Sequence, residues 1–149
     1  MNQDLKSFSR DYDFILQEKV QWGDMDAFGH VNNSVYFRYF ERVRFAMFEK
    51  YGLLEEINTT GIGPVLASTQ CRFKFPLEYP DTIYLGASIS GLESDRFLMH
   101  YGVFSEQLNA TAAWGEGFII YYNFKDKIKS RMPDKQYQTL ASLSGQEGR

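Results

Sequence analysis

Hydrophobic residues recur along this chain at two spacings, and the switches between them mark out its elements. Over residues 14–22 the pattern has period two. Phe14, Leu16, Val20 and Trp22 face one way and Ile15, Gln17, Lys19 and Gln21 the other, which predicts a strand buried on one side. From about 34 to 50 the spacing becomes helical: Tyr36, Phe40, Val43 and Met47 form one stripe flanked by Phe37 and Ala46, with Arg38, Arg42 and Glu49 on the wet side. Gly52, after Tyr51, is placed to stop that helix. Alternation then returns. Val65, Ala67, Thr69, Cys71, Phe73 and Phe75 oppose Leu66, Ser68, Gln70, Arg72 and Lys74 in a long strand. Further strands are predicted over 83–89, after a turn bracketed by Pro76 and Pro80, over 97–103, and over 111–124 beyond a turn at Gln107, Leu108 and Asn109. A short helix is expected after Pro133, fraying into a polar end.

The resulting order, β-α-β-β-β-β, predicts an α+β fold in which an antiparallel five-stranded sheet wraps around one long helix. With 149 residues, 44% of them hydrophobic and 17% aromatic, the chain has the size and core of one domain over 1–149. The core is expected over about 13–140. A net charge of -3 gives no reason to expect a nucleic-acid partner. The lone Cys71 excludes an intrachain disulfide, the first residues lack an apolar leader pattern, and no run is long and apolar enough to span a bilayer. The expectation is a cytoplasmic protein without a membrane span.

Candidate chemistry concentrates just before the long helix. There the chain reads Gly23-Asp24-Met25-Asp26-Ala27-Phe28-Gly29-His30-Val31-Asn32-Asn33, which brings carboxylates and an imidazole up to a helix start. Asn and Ser at 32 to 34 suit an N-cap, and the first helical turn presents unpaired N–H groups and the positive end of a dipole, where an oxyanion is stabilised. An activated acyl carbonyl is already electrophilic and its leaving group departs readily. One carboxylate with an oxyanion site therefore suffices, without a Ser-His-Asp triad. Asp26 would attack the carbonyl directly or activate a water, and the helix N-terminus would help keep it ionised. Asp24 and Asp26 equally suit turn and capping roles, and His30 suits either substrate orientation or a local hydrogen bond. Asp24, Asp26 and His30 have no second His or Cys at ligand spacing, so no metal is expected. Cys71 reads as a core or interface thiol, and His100 as a residue of an outward strand face.

From Trp22 through Tyr36 into the helix that carries Arg42, this segment resembles the active-site segment of the hotdog-fold acyl-CoA thioesterases of the 4-hydroxybenzoyl-CoA thioesterase family. The resemblance implies the hotdog fold, with Asp26 as the catalytic acid and the carbonyl-polarising N–H on or next to Asn33. His30 stands where some relatives carry an aliphatic residue, and Ala27 where many carry proline. Some hotdog enzymes use an acid on the helix instead, which makes Glu41 a reserve candidate beside a salt-bridge role with Arg38 or Arg44. The resemblance also implies a homo-oligomer, a dimer or a dimer of dimers, with the site built between subunits.

The expected activity is hydrolysis of an acyl-CoA thioester to a carboxylic acid and free CoA, with no cofactor, since CoA belongs to the substrate. Tyr36 and Phe37 are expected along the acyl group, which could be aryl or aliphatic. Lys74 and Arg96 are expected at the CoA, with Arg72, Lys125, Lys127, Lys129 and Arg131 as further basic candidates. Two alternatives stand beside this reading: a thioesterase acting on acyl-carrier-protein thioesters, and an acyl-binding module without turnover.

Overall fold

The computed structural model describes residues 3–144. Strands β1 (Phe14–Lys19), β2 (Ile62–Phe73), β3 (Thr82–Glu93), β4 (Arg96–Ser105) and β5 (Ala110–Asn123) form one antiparallel sheet in the order β1-β3-β4-β5-β2. The short β6 (Ile128–Lys129) pairs with β5. Helix α2 (Asn33–Lys50) lies across one face, and the sheet curls around it as the alternating pattern predicts. Among the described residues no helix is long and apolar enough to cross a membrane.

Packing under α2 follows from residue size. Its buried face carries Val35, Tyr36, Tyr39, Phe40, Val43, Arg44, Met47 and Phe48, broader than the predicted stripe and shifted away from Phe37. Phe40 stacks on Tyr101 of β4 with centroids 4.8 Å apart and planes 9° from parallel. The helix reaches the sheet there because β5 offers Gly115, where a Cβ would run into the Phe40 ring. Burying one such aromatic contributes roughly 1.5–3 kcal/mol. Arg44 is buried too, and its guanidinium donates to the Tyr101 hydroxyl at 3.1 Å. Gly52 ends the helix as expected: it adopts φ 74°, and the Leu53 N–H returns to the Phe48 carbonyl at 2.9 Å.

The structure differs from the sequence reading in several places, the short β6 among them. Strand β1 stops at Lys19, because the Val20 N–H bonds to the Asp81 carbonyl at 3.0 Å and the chain then coils into a tight 3-10 turn at Trp22–Asp24. Trp22 is consequently 74% exposed rather than in line with Phe14. In β2 a bulge between Leu66 and Ser68 shifts the alternation by one residue, so Leu66 faces the core before it while Cys71 and Phe73 do after it. Helix α1 (Gln3–Arg10) was not anticipated. Its Leu5 and Phe8 pack with Tyr12, Ile15, Tyr84 and Phe104 on the sheet face opposite α2. A single turn, α3 (Ile57–Thr60), precedes β2 and was likewise unforeseen. The helix after Pro133 is present as α4 (Asp134–Ser144), and the polar end from Gly145 lies outside the described residues.

Candidate active site

The loop between the 3-10 turn and α2 is closed by its own backbone. Met25 and Val31 form an isolated antiparallel bridge, and the Asp26 N–H donates to the His30 carbonyl at 2.6 Å. Gly29, at φ 79°, allows the reversal, and its N–H returns to the Asp26 carbonyl at 3.2 Å. Two further bonds fix the loop to its surroundings: Val31 N–H to the Leu77 carbonyl at 2.9 Å, and Asn32 N–H to the Asp24 carbonyl at 2.9 Å.

Inside this frame the Asp26 carboxylate has a defined pose. Its Oδ1 accepts the Phe28 N–H at 2.8 Å and the His30 N–H at 3.2 Å, while no described residue hydrogen-bonds to Oδ2. The turn role and the chemical role are therefore compatible, one oxygen serving each. Asn32 is the N-cap of α2: its Oδ1 accepts the Ser34 N–H at 3.0 Å and the Ser34 hydroxyl at 2.9 Å, and its carbonyl takes the Val35 N–H at 2.9 Å. The Asn33 N–H, between those donors, has no acceptor among the described residues. It sits at the positive end of an eighteen-residue helix.

Asp26, His30, Asn33, Tyr36 and Lys74 line one pocket of about 190 Å³, closed by Phe73, Phe75 and Pro76. Those five residues were expected at the site from sequence, and the fold brings them together from two separate segments. Tyr36 packs edge-on to Phe73 at 5.0 Å, and burial pushes its phenol up to about 12, against an opposing contribution from the Leu77 backbone. His30 Nε2 lies 3.9 Å from Glu78, an exposed ion pair when the ring is protonated. On the other side of the Asp26 loop a wider cleft of about 640 Å³ runs past Trp22, Met25 and Tyr79.

Other expected residues fall elsewhere. Phe37 is 38% exposed and meets Phe40 edge-on at 6.0 Å, outside the pocket. Arg96 forks onto Asp95 at 2.9 and 3.1 Å and covers the Phe118 ring. It pairs with Ile120 while Lys74 bonds to Ala112, so the two bases stand roughly 26 Å apart along β5. Glu41 is exposed and pairs with neither Arg38 nor Arg44: Arg38 lies 3.6 Å from Asp24, and Arg44 is taken by Tyr101. Arg42 instead donates to Glu18 at 3.1 Å. The Tyr39 hydroxyl is buried without a described partner, and burial first, then Asp24, pushes its phenol up.

Cys71 sits half-buried against the core, and burial pushes its thiol up to about 11, which keeps it protonated near neutral pH. His100 is on the outward face as expected, its Nε2 2.7 Å from the Ser90 hydroxyl. Among the described residues no three His, Cys, Asp or Glu side chains are grouped to hold a metal ion. Phe73, Phe75 and Pro76 were not anticipated at the site, although the alternation that puts Phe73 beside Cys71 pointed Phe73 toward the helix.

A carboxylate with one oxygen unbonded by any described residue, and a helix-start N–H without a described acceptor, in residues that line one pocket, can serve acyl transfer. Comparison with known proteins agrees with that chemistry. A protein of Aquifex aeolicus named "Putative esterase" is 33% identical over 101 residues, 67% of this chain and 79% of its own. The chloroplast acyl-acyl carrier protein thioesterase ATL3 of Arabidopsis thaliana is 30% identical over 90 residues, 60% of this chain and 47% of its own. The solved structure of the Pseudomonas aeruginosa PA2801 protein, "a putative Thioesterase", superposes with a TM-score of 0.75 at 25% identity, covering 85% of this chain and 97% of that one. The sheet curled around α2 is the hotdog fold. Residues 20–140 match the family described as the thioesterase-like superfamily, and the chain belongs to it.

Proposed function

We propose that the protein hydrolyses acyl-CoA thioesters to a carboxylic acid and free CoA. One observation carries this reading: Asp26, whose Oδ2 takes no hydrogen bond from any described residue, and Asn33, whose N–H has no acceptor among them, line the same pocket. A thioester carbonyl oxygen placed at the start of α2 takes the Asn33 N–H and the helix dipole, which stabilise the negative charge that grows as the carbon becomes tetrahedral. Asp26 then acts in one of two ways. It attacks the carbonyl carbon, expelling CoA thiolate and leaving an acyl anhydride that water hydrolyses, or it takes a proton from a water that attacks directly. Either route consumes one water and yields the acid and the thiol, and neither needs a cofactor. Rapid-quench mass spectrometry of the peptide that contains Asp26 separates them, since only the first places the acyl group on the enzyme.

A dimer is part of the proposal. β2 is an edge strand of the sheet, and the pocket lies at its C-terminal end, so pairing β2 with a second copy places the site at a subunit boundary. Release of free thiol from a panel of aryl and aliphatic acyl-CoAs tests the activity. The similarity to ATL3 favours carrier-protein thioesters as the second reading. Turnover of acyl-carrier proteins with none on any acyl-CoA would establish that reading, and binding without release of thiol on either would leave an acyl-binding module.

A further inference from the structure

We propose that the sheet face opposite α2 carries a binding groove for the adenosine-phosphate end of the CoA thioester, an inference that rests on the acyl-CoA reading above. The groove has a volume of about 580 Å³. It lies between two rows of outward positions that cross the strands. Gly86, Gly102, Trp114 and Arg72 are successive cross-strand partners in one row, and Ser88, His100, Glu116 and Gln70 in the next.

Each row supplies a different chemistry. In the first, Gly86 and Gly102 leave no side chain, and the Tyr12 ring that follows α1 fills that space so closely that a Cβ at either glycine would collide with it. Tyr12 and the 37% exposed Trp114 thus supply the aromatic lining on this side of the groove. The opposite wall is polar and held in place: Gln70 Nε2 donates to Glu116 Oε2 at 2.9 Å, and His100 Nε2 is bonded to the Ser90 hydroxyl at 2.7 Å. The second Glu116 oxygen has no described partner, so it can accept from an exocyclic amine. A flat ring with apolar faces and a hydrogen-bonding edge fits between such walls, as a purine does.

Charge completes the match. Arg72 makes no ion pair or hydrogen bond with any described residue, and the Lys74 ammonium lies over the Trp114 ring at 5.5 Å. Two cations without carboxylate partners beside an aromatic wall suit phosphate groups next to a stacked base. Lys74 also lines the Asp26 pocket, and from Lys74 to Gln70 is about 13 Å along the strand. A pantetheine arm bridges that distance, so one molecule reaches both places.

The test uses the full-length protein with adenosine 3′,5′-bisphosphate as probe, by calorimetry, together with kinetics on an acyl-CoA and on the same acyl group as a pantetheine thioester. Trp114→Leu and Arg72→Gln should each weaken bisphosphate binding about tenfold and raise KM for the CoA ester by a similar factor. KM for the pantetheine ester should move less than twofold, and Trp114→Phe, which keeps a stacking ring, should restore most of the loss. Equal KM changes on both esters, or bisphosphate binding that survives in both variants, would overturn the groove while leaving the thioesterase intact. If no thioester is hydrolysed, the activity reading fails alone: bisphosphate binding that is lost in both variants still supports the groove, and a wild type that does not bind the probe overturns it.

Discussion

Asp26 holds its loop through one carboxylate oxygen, and the reactive role proposed for it falls to the other, so the two roles can be separated. Asp26→Asn keeps an oxygen for the Phe28 and His30 N–H groups but removes the charge that either proposed route requires. It should lower kcat by roughly 10²–10⁴-fold while shifting the thermal midpoint by only a few degrees. Asp24→Asn should cost less activity, because that carboxylate faces Arg38 rather than the pocket. Steady-state kinetics and melting curves of both variants check this. Near-normal kcat in Asp26→Asn alongside a large loss in Glu41→Gln would move the catalytic acid to the helix. At this scale the sequence was most legible where chemistry is local. Asp26, His30 and Asn33 are neighbours along the chain, so spacing alone put them at the start of α2. Lys74 reaches them only through the path of β2, and Arg96 shares its charge but sits at the far end of β5, a difference that no residue type records.

The elements themselves were readable wherever one face is apolar over several turns or pleats. β3, β4 and β5 alternate and read as strands, and the α2 stripe of Tyr36, Phe40, Val43 and Met47 is buried, although the buried face also takes in Val35, Tyr39, Arg44 and Phe48 and leaves Phe37 out. The β2 bulge was invisible because Ala67 and Ser68 are small and tolerate either face, so alternation fits equally well in both phases. Helix α1 was missed because its eight residues are too few for a periodic signal, although Leu5, Phe8 and Tyr12 stand at helical spacing. Close contact between elements gives a second prediction. Gly115→Ala should destabilise the fold by about 1–3 kcal/mol through the Phe40 ring. Adding Phe40→Leu should recover part of that loss in a double-mutant cycle measured by urea unfolding, since a shorter side chain vacates the space. A Gly115→Ala protein as stable as wild type would mean that α2 does not pack so tightly there.

For the whole molecule, an open sheet edge and several buried phenols set the expected behaviour. β2 ends the strand order with no further strand paired to it among the described residues, and Phe73 at its end and Phe75 just after it are exposed. Light scattering should report at least twice the 17.3 kDa chain mass at micromolar concentration; a fully active monomer would refute the dimer. Stability should also fall in alkali. Burial raises Tyr12 and Tyr36 from an ordinary 10.0 to about 12, so between those values the unfolded chain has released protons that the folded chain still holds. The unfolding free energy begins to decline near pH 9, where the unfolded Cys71 thiol ionises and the buried one does not, and falls further from pH 10 toward 12, by roughly 2 kcal/mol for Tyr36 alone. Urea titrations from pH 8 to pH 11 check it, and no decline would mean that these phenols are solvated.

The closed Asp26 loop has a consequence for how this protein can change over evolutionary time. Its shape is set by backbone bonds and by one glycine, not by Trp22 or by Phe28, which is 85% exposed. Those aromatics can be exchanged without disturbing the frame that aims the carboxylate. Drift at the loop surface can therefore proceed while the backbone frame around Asp26 is inherited unchanged, so substitutions at either aromatic should leave the loop folded.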